Sequence, residues 1–176
     1  QDTRARAVIQ RAADVFGWSR RQKGCGFAFA RYKNLAAYCS IAMEVEVERE
    51  SGRIRVRRVV AAVDSGEAVN PDGIRNQIEG AIVQSLSWTT QEATTFDTLH
   101  RTSFDWSGYP ILRFEDVPDR IEVQVIDRPG EPFLGTGEAG QGPAAAAIAN
   151  AVADATGTRF RDLPLSPERV RAALGA

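Results

Sequence analysis

Cysteine, histidine and methionine are scarce in this chain: two, one and one among 176 residues. Cys25 and Cys39 do not form a CxxC pair, so neither a zinc ribbon nor a thioredoxin-type redox motif is present, and both thiols read as strand residues in a core. The lone histidine, His100, lies in an irregular stretch and reads as a loop residue, so no protein-supplied metal site is expected. A basic block is also missing. Lys and Arg number 22 against 23 Asp and Glu, for a net charge of −1, which removes the electrostatic footprint of a nucleic-acid binder. No apolar run approaches the roughly 20 residues of a membrane span. The first residues, QDTRARAVIQ, carry no signal-peptide pattern, so the expectation is a soluble chain, cytoplasmic or periplasmic. No internal repeat or GxxxxGK[ST] loop occurs.

What remains is the material of one ordinary domain, residues 1–176, long enough to bury about 70% of the surface its unfolded chain exposes. Val8, Ala12, Val15 and Phe16 recur at helical spacing over Thr3 to Phe16, and Gly17 closes that helix. Trp18 follows as a packing residue. Cys25 to Ala30 alternates large and small side chains, a strand whose Gly26, Ala28 and Ala30 permit a close neighbour. Tyr38 to Glu48 and Arg53 to Asp64 form a hairpin around Glu50-Ser51-Gly52. Its Glu44, Glu46 and Glu48 and its Arg53, Arg55 and Arg57 make two charged rows expected to face each other across the pair. Val59 to Val63 loses the alternation, so the second strand ends inside the core.

Asn70-Pro71 caps and opens a helix running to about Glu92, with Ile74, Ile78, Ile82 and Leu86 as its core stripe. Gln77, Gly80, Ala81, Gln84 and Trp88 form a second strip, where small residues flank amides able to hydrogen-bond a ligand. Thr94 to Phe114 is irregular and aromatic and should wrap the surface. Arg120 to Asp127 alternates as one more strand. Pro143 to Thr156, closed by Gly157, and Ser166-Pro167 to about Leu174 are the last helices.

The stretch Gly135 to Asn150, GTGEAGQGPAAAAIAN, concentrates the candidate chemistry. Gly135, Gly137 and Gly140 allow a bound group to approach the backbone, and Glu138 is the carboxylate among them, just ahead of a helix N-terminus that favours an anion. Gly135-x-Gly137-x-x-Gly140 formally matches the dinucleotide fingerprint. The strand immediately before it and the strand after its helix are both missing, which excludes a Rossmann unit.

Three segments resemble the C-terminal part of the molybdenum-binding subunit of the xanthine dehydrogenase and aldehyde oxidase family, most closely the large (beta) subunit of isoquinoline 1-oxidoreductase-type enzymes. They are VDSGEAVNPDGIRNQIEGAIVQSL, GYPILRFEDVPDRIEVQVI and GTGEAGQGPAAAAIANAVADATGTRFRDLPL. The resemblance implies a fragment of a longer subunit that oxidises an aldehyde or N-heteroaromatic substrate with water as oxygen source. By it, Glu138 is the general base at a molybdopterin centre, and Gln77, with Gly80, Gly135, Gly137 and Gly140, belongs to the cofactor-binding surface. The implied cofactor is molybdopterin, in its cytosine dinucleotide form, with molybdenum. The implied partners are the remainder of the large subunit and a small iron–sulfur subunit, and the fragment alone should be inactive. Two positions depart from the pattern: Ala139 stands where proline commonly follows the glutamate, and Phe104 to Tyr109 is longer than the usual aromatic segment. Without the resemblance, the residues favour a non-catalytic interaction or scaffold domain in which the glycines serve turns and Glu138 caps a helix. The fold expected is α+β, a mixed sheet of about four strands with helices mainly on one side, half of a molybdopterin-binding region.

Overall fold

The computed structural model describes residues 2–175. Its elements are α1 (Thr3–Phe16), β1 (Cys25–Arg31), β2 (Tyr38–Val47), β3 (Ile54–Asp64), α2 (Pro71–Thr90), β4 (Ile121–Val125), α3 (Gln141–Thr156) and α4 (Pro167–Leu174). The strands form one sheet in the order β1-β2-β3-β4, antiparallel for the first two pairings and parallel between β3 and β4. A parallel pair cannot be closed by a tight turn, and α2 supplies the crossover. The fold is therefore α+β with a mixed sheet.

Alternation along the two central strands divides the core. Ile41, Met43, Val45, Val59, Ala61 and Val63 face α2, α3 and α4, where they meet Ile74, Ile78, Ile82, Leu86, Ala147, Ala151 and Val170. Ala42, Val60 and Ala62 point the other way, towards Val8, Ala12 and Phe16 of α1. Three helices thus cover one face and α1 the other. Burial of these side chains at about 25 cal/mol per Å² of apolar area is the main force that holds the layers together.

Local chemistry sets the helix ends. The Asp2 carboxylate accepts from the N–H groups of Arg4 and Ala5, and Gly17 closes α1 in the left-handed conformation at φ 78°. Asn70 accepts from the N–H of Gly73 ahead of Pro71, and Ser166 does the same for α4 through Arg169. Gly26 fixes how α3 crosses β1. A Cβ at that position would sit 2.0 Å from the Ala147 carbonyl oxygen and 2.3 Å from the Ala151 nitrogen, so only glycine admits the helix so close.

The charged rows of the hairpin do stand opposite each other, Glu46 across from Arg55 and Glu44 across from Arg58, but most of their ion pairs form elsewhere. Glu46 does reach an arginine, Arg57, at 3.5 Å. Arg53, Arg55 and Arg57 otherwise pair with Asp116 and Asp119 at 2.8 Å each, and Arg58 pairs with Glu122. A bulge between Glu44 and Val45 shifts the β2–β3 register, and the parallel docking of β4 brings the aspartates leading into it alongside the arginines of β3. The segment from Thr94 to Phe114 does run over the surface, with Phe96, Phe104, Trp106 and Phe114 exposed.

Candidate functional site

Asp64 ends β3 with no exposed surface, and two arginines 124 residues apart in sequence converge on it. Arg4 from α1 donates to Oδ1 through Nη2 at 2.5 Å and Nε at 3.2 Å, Arg128 donates to Oδ2 at 2.9 Å, and the Gly66 N–H adds a fourth bond at 3.1 Å. Burial pushes the Asp64 carboxyl up, but the bonds from Arg4, Gly66 and Arg128 outweigh it and hold it below the usual carboxylate range. The clamp fixes the start of the loop after β3 to the loop after β4. Backbone bonds continue the seam from Glu67 N–H to the Glu131 carbonyl at 3.2 Å and from Leu134 N–H to the Ser65 carbonyl at 2.7 Å. Gly66, at φ 80°, lies where a Cβ would strike the Pro132 carbonyl oxygen at 2.0 Å.

This seam delivers the chain to Gly135 at the end of the sheet where β1 also finishes. The next residues turn tightly, the Ala139 N–H donating to the Thr136 carbonyl at 3.3 Å and the Gln141 N–H to that of Glu138 at 3.2 Å. Alanine in place of proline at position 139 therefore keeps a donor that the turn uses. Ala139 is 3% exposed and packs in the main core. Gly140 presses on α2, its Cβ position 3.1 Å from the Ala81 methyl and 3.5 Å from the Ile78 carbonyl oxygen. Two further bonds staple α3 to α2: Ser85 Oγ to the Gln141 carbonyl at 3.1 Å, and Gln141 Nε2 to Gln84 Oε1 at 2.9 Å.

Between these anchors the Glu138 side chain faces outward and is exposed, and the Tyr32 hydroxyl donates to its Oε2. Gln77 is exposed beside it, with Nε2 3.6 Å from the Cβ position of Gly137. Gly80 lies one turn further along the same strip with open space above it, and lines a groove of about 610 Å³ between α2 and the segment from Ile111 to Ile121. Gly135 is also exposed with nothing near its Cβ position. The α3 N-terminus has no side-chain cap, so the positive end of its dipole is not offset by a capping oxygen. A surface of this kind, small residues flanked by amides with one carboxylate at its rim, suits a flat polar ligand lying across α2 and the glycine loop.

Tyr32 is the residue that sequence reasoning missed. It lies 106 positions from Glu138, and no periodicity links the two. A larger cavity, about 740 Å³, lies at the opposite end, among Glu48, Arg53, Asp116 and Glu168, and none of the candidate residues lines it. Among the described residues no group of three or more His, Cys, Asp or Glu comes together that could hold a metal ion. No helix among them is long and apolar enough to cross a membrane.

The sequence profile of the molybdopterin cofactor-binding domain matches residues 7–118, a stretch that includes Tyr32, Gln77 and Gly80. A nicotinate dehydrogenase subunit of Pseudomonas putida is 46% identical over 159 residues, covering 87% of this chain and 13% of that protein. The beta subunit of isoquinoline 1-oxidoreductase from Brevundimonas diminuta is 32% identical over 170 residues, 93% of this chain and 21% of that protein. Among solved structures, quinoline 2-oxidoreductase from Pseudomonas putida 86 superposes with a TM-score of 0.73 at 28% identity, over 79% of this chain and 19% of that one. The chain thus spans about a fifth or less of the length of these relatives.

Proposed function

The chain belongs to the molybdopterin cofactor-binding domain family, and from that premise we propose that it forms one wall of the cofactor site of a molybdenum hydroxylase, with Glu138 as its general base. The observation that carries the proposal is the placing of Glu138. A carboxylate exposed on a loop that is pinned on both sides can meet a substrate without the loop having to be ordered first. The residues present fit a molybdopterin: Gly80, Gly135 and Gly137 leave room for close approach, Gln77 and Gln84 offer amide donors and acceptors, and the uncapped α3 N-terminus favours an anionic group.

A bound molybdopterin supplies the two-electron redox chemistry. The chain's own residues then have separate duties. Glu138 removes a proton from the oxygen nucleophile, which comes from water, a contribution of about 10²–10⁴ in rate for a well-placed base. Gln77 would hold the pterin, Gly80, Gly135 and Gly137 would shape the surface on which it rests, and Gly140, which is buried, sets the loop that carries them against α2. We assign the cofactor as the cytosine dinucleotide form. The substrate class is an aldehyde or an N-heteroaromatic ring, in keeping with the nicotinate, isoquinoline and quinoline named for the relatives. The remainder of the large subunit completes the pocket, and a small iron–sulfur subunit carries electrons away.

Glu138→Gln in the complete enzyme tests the assignment. The amide keeps shape and volume but cannot accept the proton, so turnover should fall by about 100-fold or more with molybdenum content unchanged. Turnover within about threefold of wild type at full metal content would remove Glu138 from the role.

A further inference from the structure

We propose that Tyr32 is the positioning residue for Glu138, its phenol holding Oε2 so that Oε1 is left free to take the proton. The inference rests on Glu138 being the base. Tyr32 donates the one side-chain hydrogen bond that Glu138 receives among the described residues. Without it, a carboxylate exposed on a loop would distribute over several rotamers, and only a fraction would face the reacting group.

The geometry around Tyr32 shows how a surface side chain is itself kept in place. β1 ends at Arg31, and the chain reverses through a single helical turn, Tyr32–Asn34, before β2 begins. Both main-chain groups of Tyr32 are used: its N–H donates to the Ala37 carbonyl at 2.9 Å, and its carbonyl accepts from Leu35 at 3.2 Å and Ala36 at 2.9 Å. Lys33 and Asn34 adopt φ of 49° and 59°, a left-handed conformation unusual for residues with a Cβ, so the tight reversal is held against a local steric cost. The Tyr32 ring packs against the main core, and the Lys33 ammonium sits 5.2 Å from the ring centroid. A phenol anchored at the backbone and along its ring has one free polar end, and that end meets Glu138. The loop carrying Glu138 is fixed from the other side by Ala139 and Gly140 on α2, so the carboxylate is gripped between two elements that share the same core.

Two measurements separate this role from a structural one. The first needs no cofactor. In the chain labelled with 3-fluorotyrosine, three resonances are expected from Tyr32, Tyr38 and Tyr109, and Tyr32→Phe identifies its own. Glu138→Gln should move the Tyr32 resonance and leave the other two in place; an unmoved Tyr32 resonance overturns the contact. The second uses the complete holoenzyme. Tyr32→Phe should lower kcat about tenfold, the scale of one hydrogen bond to a charged group, with KM and molybdenum content kept. In a Glu138→Gln background the same substitution should cost nothing more, because the tyrosine acts only through the carboxylate. Unchanged kcat in the single variant, a loss that adds in full to that of Glu138→Gln, or a loss of molybdenum would each overturn the inference. An enzyme in which Glu138→Gln is harmless would instead fail the base assignment, while the fluorine spectra still score the contact itself.

Discussion

Asp64 shows what a single buried charge does in this fold. It has no exposed surface, and its two arginine partners are each only partly covered, so three charged groups are drawn together at the root of the site. Its carboxyl is held below the ordinary range of about 3.9. A depressed carboxyl contributes stability that is fully present above the unfolded value and is lost as pH falls through the folded value. Asp64→Asn should therefore lower the urea midpoint at pH 7 by the equivalent of about 3 kcal/mol, the lower end for breaking a buried pair, since both arginines keep contact with water. The gap between variant and wild type should close as pH drops below about 4. Urea titrations at pH 7, 5, 4 and 3 check this, and a gap independent of pH would mean that the clamp carries no charge-dependent stability. Cys39 is the opposite kind of buried group. Burial pushes its thiol up to about 12, which leaves it inert as a nucleophile and consistent with the packing role its strand position suggests.

Among elements, the contact of α3 with β1 leaves no room for a side chain at Gly26. All three atoms nearest the Gly26 Cβ position belong to the α3 backbone, so no side chain can swing aside to accommodate a methyl. Gly26→Ala should destabilise by about 3 kcal/mol, the upper part of the range for overpacking. For a chain of this length that corresponds to a fall of about 6–12 °C in melting temperature. Gly142→Ala is the matched control, because nothing lies within 4 Å of its Cβ position and alanine is favoured in a helix. Calorimetry on both variants decides: equal melting temperatures would show that α3 shifts freely. This crossing was legible in the sequence as the small residues of β1, just as the spacing of Ile74, Ile78, Ile82 and Leu86 marked the buried face of α2. The arginine row was only half legible. Its charges were plain, but their acidic partners were fixed by the parallel docking of β4, a long-range event that leaves no local pattern.

At the scale of the whole molecule, the ends of β1, β3 and β4 and the N-terminal ends of α2 and α3 meet at one end of the sheet. Open α/β sheets concentrate ligand chemistry outside the carboxyl ends of parallel strands for the same reason: the loops there are free to vary while the sheet holds them. Glu138 and the glycines stand out by residue type and Gln77 lies on a strip that spacing marks, but the roles proposed for them come from the family resemblance. Tyr32 and the Asp64 clamp could not be picked out, since each depends on side chains 60 or more residues apart that only the folded sheet brings together.

The central claim is that this end of the sheet forms a wall of a molybdopterin site, and molybdenum stoichiometry tests it most directly. On the function proposed above, the complete subunit, purified with the iron–sulfur subunit proposed for it, should carry close to one molybdenum per chain. Gln77→Ala should lose much of it on prolonged dialysis. These 176 residues alone should fold yet retain no stoichiometric metal and oxidise neither an aldehyde nor a heterocycle with an artificial acceptor, because one wall leaves the cofactor in water where its polar contacts are screened. A complete subunit without molybdenum, or full occupancy in the dialysed Gln77→Ala variant, would contradict the account.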